Sequence, residues 1–540
     1  MVNLTLHTPL WKRFVDGVRQ DFIDFESVNN SRQVLETGIY TYKVARPDGG
    51  SMRIHLRIES GGTGVLFVDV TDVIHLNPTA AIMAKMALDN VSIRVANAII
   101  LGKYQGVSES QVEEELGRIY QMVDHFREHT GDCYTCALTG LLDMAPLFSI
   151  PVNAPYKVDI ALTYGCNNEC PHCYNEANRF QMPSLPLQDW FEVLDKIAFL
   201  GIPHVILTGG EATLHPSLPQ IIHYADQLGM IVGLNTNGRH VAFGPYLQKL
   251  VAAGLNHIQV TLGSNYPEIH NVMMGAKSFD QTVRGIESGL LSGIHVITNT
   301  TLIRSNMGHV EEIIEFIYDL GIRTFAMNGM IYSGGGFAHP NAIPEEELSP
   351  LLVRVRDQAR WLGMRFLWYT PTEYCRLSPV ELEIGAKRCN AGEYSLCIEP
   401  NGDVLPCQSY YVSPGNILHD PWEKIWNNDI LLSFREREKD PRQAGLPEKC
   451  WDCPDLPVCG GGCRIEREAR EGIRVADLAG GGCAGCSGYA GKKSTTTTLE
   501  VFPTKSGDKT DGGFVPFSSQ KKTTKRSSGD MPLVRVDGDK

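Results

Sequence analysis

Val158–Gly165, VDIALTYG, is an apolar, β-branched run ending in a polar turn, and the pattern returns as HVILTGG at 204–210, MIVGLNTNG at 230–238, HIQVTLGS at 257–264, HVITNTTLI at 295–303 and IRTFAMNG at 322–329. Amphipathic segments such as Leu187–Leu200 and Val310–Leu320 lie between the runs. Strands alternating with helices predict an α/β core, a parallel sheet with helices outside, closed or partly closed as a partial (β/α)6 TIM-like barrel. Working groups of such a core stand at the C-terminal ends of its strands. Those ends here read TYGC, TGGE, NTNG and TLGS, a polar set that a purely structural sheet does not need.

Around this core the chain of 540 residues, 43% hydrophobic, is long enough for several folded units. A net charge of −13 argues against coating nucleic acid or an anionic membrane. No apolar run reaches the length of a spanning helix, and the first residues lack a signal-peptide pattern, so the expected location is cytoplasmic. Fifteen cysteines are too many for idle thiols in that compartment and too clustered for a disulfide scaffold, which makes metal ligation the first expectation.

Before the core, GIYTYKVA, SMRIHLRI and GVLFVDVTDVIHLN read as three antiparallel strands joined by Gly turns, followed by helices over Pro78–Tyr104 and Ser108–Arg127. The expected divisions are 1–130 for this unit and its extension, 131–154 for a linker holding Cys133 and Cys136, 155–345 for the core, 346–490 for a cysteine-rich extension, and 491–540 for an unstructured Lys-, Thr-, Ser- and Gly-rich tail.

Cys166, Cys170 and Cys173 form CxxxCxxC directly after the first core strand. Three thiolates on one loop hold three irons of a [4Fe–4S] cube and leave the fourth open to a reactant. The motif resembles the signature of the radical S-adenosylmethionine (radical SAM) superfamily, with His172 at its aromatic position. The resemblance implies that the open iron binds the amino and carboxylate groups of S-adenosylmethionine, whose reductive cleavage gives a 5′-deoxyadenosyl radical. Gly209-Gly210-Glu211 looks like the family's GGE motif, which receives the methionine ammonium, and Ser264 resembles a serine used at the methionine end. Asn235 ends the third strand with an amide suited to ribose or carboxylate oxygens, and Ser333-Gly334-Gly335-Gly336 permits close approach of an adenine or substrate.

Cys389, Cys407, Cys450, Cys453, Cys459 and Cys463, followed by Cys483 and Cys486, resemble the SPASM extension of radical SAM enzymes, which houses up to two auxiliary [4Fe–4S] clusters. The resemblance implies Cys389, Cys407 and Cys463 for the first, and Cys450, Cys453, Cys459 with Cys483 or Cys486 for the second. The fourth ligand of the first is left among Cys133, Cys136, Cys375 and Cys397, or open. A two-residue Asn401-Gly402 hairpin would set Cys397 opposite Pro406, away from Cys407. IHLNPTAAIMAKM resembles the signature of PqqD-like peptide-recognition domains, which bind a leader peptide as an added strand. Together these imply a radical SAM/SPASM oxidoreductase that matures a ribosomally made peptide or protein carrying a leader, similar to PQQ-biosynthesis enzymes, with an electron donor of flavodoxin or ferredoxin type. The competing readings are a porphyrin or small-cofactor tailoring enzyme, a sulfatase maturase, which would carry Asp where Gln408 stands, and a non-catalytic iron–sulfur electron carrier or peptide-binding adaptor.

Overall fold

The computed structural model describes residues 35–45, 51–69, 72–128, 152–478 and 533–536. Its first sheet contains β1 (Gly38–Ala45), β2 (Ser51–Ile58), β3 (Gly64–Val68) and β4 (Asp72–Leu76), antiparallel in that order. GVLFVDVTDVIHLN, expected as one strand, is therefore a hairpin in which Val68 pairs with Asp72. Asp69 at φ 50 makes the reversal, a left-handed position that a short polar side chain tolerates. The helix expected over Pro78–Tyr104 is likewise two, α1 (Pro78–Leu88) and α2 (Ile93–Lys103). Asn77 caps α1 by accepting from Ala80 N–H at 2.8 Å, and Asn90 at φ 61 turns the chain away after it. The third helix is α3 (Glu109–Glu128).

Alternation along the strands gives this sheet two buried faces. Ile54, Leu56, Leu66 and Ile74 pack with α1 and α3 in one core, while Val65, Phe67 and Val73 belong to the core of the rest of the chain. Arg53 donates to Met230 O and Asp226 Oδ1, both at 2.7 Å, and Arg57 donates to Ala154 O and Pro155 O at 3.1 and 3.0 Å.

Those partners precede the starts of β5 (Lys157–Thr163) and β7 (Ile231–Thr236), so the small sheet is seated against the N-terminal end of the core strands. With β6 (His204–Gly209), β8 (His257–Thr261), β9 (His295–Thr301) and β10 (Thr324–Asn328) these are the six expected strands, parallel and in sequence order. The helices α4 (Leu187–Phe199), α5 (Leu218–Gln227), α6 (Gly244–Ala252), α7 (Pro267–Met274), α8 (Phe279–Leu291) and α9 (Val310–Asp319) connect them. The pattern continues past residue 345 through α10 (Glu345–Trp361) to a seventh parallel strand, β11 (Arg365–Trp368). On the opposite edge β12 (Ser395–Ile398) pairs parallel with β5 and extends the sheet into β13 (Asp403–Leu405) and β14 (Gly415–Asn416). The cysteine-rich extension thus continues the core sheet instead of forming a separate body.

Three buried histidines, His55, His75 and His257, and the partly buried His204 lie where the small sheet meets the core. His55 Nε2 bonds Gly229 O at 2.7 Å, His75 Nε2 bonds Tyr156 Oη at 2.8 Å and His204 Nε2 bonds Asp69 O at 3.0 Å, with His257 buried beside them. Burial lowers the pKa of His55 to about 4 and of His75, His204 and His257 to about 3. A histidine held neutral in the fold and charged when unfolded stabilises fully above the unfolded value of 6.5, and this stability is lost as pH falls below it towards the folded value. For His75 the loss between pH 7 and 5 is about 2 kcal/mol. The urea midpoint should fall over that range, and His75→Gln should fall less; parallel decreases would show that His75 is not the sensitive group.

Candidate active site

The loop that carries Cys166, Cys170 and Cys173 leaves β5 at Thr163 and is gripped along its length by backbone. Gly210 N–H donates to Thr163 O at 2.7 Å and Glu211 N–H to Gly165 O at 2.9 Å. That approach requires glycine: a Cβ on Gly209, which sits at φ 137, would stand 2.0 Å from Thr163 O, and one on Gly210 would stand 2.4 Å from Tyr164 O. Further along, Gly335 N–H donates to Cys173 O at 2.7 Å and Gly334 N–H to Glu176 Oε1 at 2.9 Å. The Ser333–Gly336 run therefore makes a close backbone approach to the cysteine loop. Arg239 completes the grip by donating to Asn168 Oδ1 at 2.9 Å and to Asn167 O.

A cavity of about 840 Å³ opens at the C-terminal ends of the core strands. Cys166, Cys170 and Cys173 line it with His172, Gly209, Gly210 and Asn235, and so do Cys389, Cys407 and Cys463 from the extension. Two cysteine triplets more than two hundred residues apart in sequence thus face one space. Burial, then the neighbouring Cys173 and Cys166, push the Cys170 thiol up to about 12; burial, then Cys389, push Cys407 to about 12, and Cys463 is also raised. Both sets are mutually repelling if ionised, so each deprotonated set calls for added positive charge. Iron supplies that charge, and three thiols set around a shared space suit a cube with one thiolate per iron corner. Among the described residues no three His, Cys, Asp or Glu side chains are grouped to hold one metal ion. Burial, then His339, lower the His172 pKa to about 4, so its ring is neutral at ordinary pH.

Glu211 and Ser264 are buried but do not line the cavity. Glu211 Oε1 accepts from Thr213 N–H, Thr213 Oγ1 and Thr236 Oγ1 at 3.2, 2.6 and 2.8 Å, and its Oε2 accepts from Asn237 N–H at 2.8 Å. The carboxylate ties the end of β6 to the end of β7. Ser264 Oγ accepts from Tyr266 N–H at 3.1 Å and shapes the entry to α7. Glu211→Gln would turn an NH2 toward a backbone N–H, leaving two buried donors opposed, and should destabilise the chain by about 1–3 kcal/mol. Thermal unfolding of the variant checks this; an unchanged midpoint would show that the tie contributes nothing.

The remaining expected ligands stand apart from the cavity. Cys450 and Cys453 pack on Ala444, Leu446 and Leu456, and burial raises Cys450 and Cys459, with electrostatic coupling between them. Cys375 lies 3.4 Å from Lys449 Nζ, and its neighbour Tyr374 donates its N–H to Cys459 Sγ at 3.3 Å, so it stands near this set. Cys397 pairs with Leu405, not Pro406, because Glu399 N–H bonds Asp403 O at 2.8 Å and leaves the three residues Pro400–Gly402 in the turn, with Gly402 at φ 88. Its thiol is buried with Ala161, Tyr164, Leu405 and Tyr411. Cys133, Cys136, Cys483 and Cys486 lie outside the described residues.

Sequence reading missed the inward polar groups within the strands. Lys157, Asp159, Gln259, Asn299 and Asn328 all line the cavity, and Gln408 Nε2 donates to Asp159 Oδ2 at 2.7 Å while accepting from Tyr174 Oη at 2.8 Å. The available signal was a polar residue inside an apolar strand, as in FAMNG. Asn299 Oδ1 and Asn328 Oδ1 are buried acceptors without a hydrogen-bond partner among the described residues. Such acceptors suit ligand hydroxyls, and with the thiols they fit an iron–sulfur cluster and a nucleoside sulfonium.

Residues 160–317 match the model of the Radical SAM superfamily, and residues 389–454 match that of SPASM, an iron-sulfur cluster-binding domain. The chain is similar to the PqqA peptide cyclase of Streptomyces rochei, 26% identical over 323 residues that make up 58% of this chain and 86% of that protein. It is also similar to the antilisterial bacteriocin subtilosin biosynthesis protein AlbA of Bacillus subtilis, 27% identical over 330 residues, 58% of this chain and 67% of that one. In fold it resembles SuiB of Streptococcus suis, with a TM-score of 0.55 and 18% identity over 76% of this chain and 95% of the other.

Proposed function

We propose that this chain, a radical SAM enzyme with a SPASM domain, modifies a ribosomally made peptide or protein inside the cavity that its two cysteine triplets share. That shared cavity is the observation that carries the reading. When bound, a [4Fe–4S] cluster and S-adenosylmethionine supply one-electron cleavage of the sulfonium and a radical able to take a hydrogen atom from a substrate carbon. Cys166, Cys170 and Cys173 would hold that cluster. Gly209 and Gly210 would offer backbone at the methionine end, with Asn235, Asn299 and Asn328 accepting from hydroxyls. Glu211 and Ser264 would position the loops around them. Cys389, Cys407 and Cys463 would hold the first auxiliary cluster, and Cys450, Cys453 and Cys459 the second, with Cys375 and the later Cys483 and Cys486 as candidates to complete it.

The two named relatives supply the substrate class, since one is a peptide cyclase and the other a bacteriocin biosynthesis protein. The antiparallel sheet beginning with β1 is the proposed seat of the peptide's leader, by strand addition. Because that sheet sits at the other end of the core strands, and β5 alone spans about 20 Å, the leader would bind well away from the chemistry and only the distal part of the peptide would enter the cavity. An electron donor of flavodoxin or ferredoxin type, a cytoplasmic location and the absence of nucleic-acid or membrane partners complete the proposal. Among the described residues no helix is long and apolar enough to cross a membrane.

The test is anaerobic reconstitution with iron, sulfide and S-adenosylmethionine, and a short peptide encoded beside the gene as substrate. The expected result is 5′-deoxyadenosine formation together with a mass change in the peptide. Cleavage that leaves every such peptide unaltered, with turnover of a small molecule instead, would overturn the peptide reading.

A further inference from the structure

The antiparallel sheet has a fifth strand that does not come from the N-terminal part of the chain. β15 (Leu533–Val536) lies antiparallel along the outer edge of β4, with Leu533 opposite Leu76, Val534 opposite His75, Arg535 opposite Ile74 and Val536 opposite Val73. It falls in the segment expected to be an unstructured tail, most of which lies outside the described residues. The local sequence explains the strand: LVRV is rich in β-branched residues, with Pro532 before it and Asp537-Gly538 after it as residue types that stop a strand.

The four N-terminal strands leave two edges, β1 and β4, and β4 is the one that β15 occupies. One face is covered by α1 and α3, the other meets the end of the core, and β4 is hydrogen-bonded to β3 on its inner side. Peptide addition to β4 therefore needs the row of N–H and C=O groups that β15 already pairs. An unpaired row of that kind is a template for any extended chain. Residues 479–532 link β15 to the cysteine-rich extension, and extended they would reach on the order of 180 Å, so the tether does not prevent the pairing. A tethered strand also competes at an effective concentration in the millimolar range, far above that of a free peptide.

We propose that the β4 edge is held in the resting chain by the chain's own C-terminal segment, Leu533–Val536, and that an incoming peptide gains the edge only by displacing it. The inference rests on the proposed function for the identity of the displacing peptide, but the occupancy itself is tested without any substrate. The tail then acts as an internal competitor that sets a threshold of leader affinity, so weakly matched peptides do not reach the radical chemistry.

The experiment compares the full chain with a double variant, Val534→Pro and Arg535→Pro. Adjacent prolines remove a ladder donor whichever of the two residues points its N–H at β4. Two readouts are taken: hydrogen–deuterium exchange of the β4 amides, and fluorescence anisotropy with a labelled synthetic peptide of residues 529–540, GDMPLVRVDGDK. Exchange of the outward β4 amides should be at least tenfold faster in the variant, and the labelled peptide should bind the variant at least tenfold more tightly than the full chain. Equal exchange in the two proteins, or equal peptide affinity, overturns the proposal. A chain ending at Arg526 should behave as the proline variant does, and protection of β4 retained in it would likewise overturn the proposal. Uncoupled 5′-deoxyadenosine formation, which takes place at the other end of the core, should be the same in all three proteins. Its absence from all three would count against the proposed enzyme activity while leaving the exchange result to decide the tail.

Discussion

Replacing Cys166, Cys170 and Cys173 together with Ala should lower bound iron by about four, from roughly eleven to twelve per chain if three cubes are held mainly by thiolates, and bring 5′-deoxyadenosine formation to background. The three thiols line the cavity and are not part of the sheet's apolar core, so the variant should keep its fold. The loop itself is held by the backbone of Gly210 and Gly335 and by the Arg239 guanidinium, through contacts that do not involve the thiols. Iron analysis, absorbance of the reconstituted protein and product chromatography check the prediction, with circular dichroism as the control for folding. A wild-type chain that comes out of careful anaerobic reconstitution with stoichiometric zinc and no iron would refute the reading from which it follows.

The sequence made the core legible because its signals are periodic and local. Each of the six runs from VDIALTYG to IRTFAMNG became a strand, and polar residues at or just beyond their C-terminal ends line the cavity, since a parallel sheet brings all those ends to one side. The triplet's place after β5 followed from its adjacency to that strand. What stayed hidden depends on contacts between distant segments. Nothing local in RFLW marks it as a seventh parallel strand, and nothing in SLCI says that it will pair with β5. The Cys397 register was misread by one residue because Asn-Gly suggests a two-residue turn, while Gly402 here closes a three-residue one. The contacts that hold Glu211 were hidden as well, because its partners Thr236 and Asn237 come from the next strand. The glycines of Ser333–Gly336 were legible as a site of close approach, but not what approached them.

That last point bears on the GGE motif as well, and Gly209→Ala is where it can be measured. The new methyl would stand 2.0 Å from Thr163 O, a backbone atom that cannot rotate away, at a residue whose φ of 137 already excludes most side chains. Relieving the overlap takes a shift of more than 1 Å between the ends of β5 and β6, and Thr163 leads directly into the cysteine loop. Overpacking of this kind costs about 1–3 kcal/mol in stability, but the larger consequence is for the chemistry, where a 1 Å displacement of reacting groups costs roughly 100-fold in rate. The expected result is a modest fall in thermal midpoint, and a fall of about 100-fold or more in 5′-deoxyadenosine formation. Gly308→Ala is the matched control, because a Cβ there meets nothing within 4 Å, and it should leave both quantities unchanged. If Gly209→Ala cleaves S-adenosylmethionine at the wild-type rate, the close packing of β6 on β5 is not what sets the cysteine loop, and the motif's glycines would have to be explained by ligand contact alone.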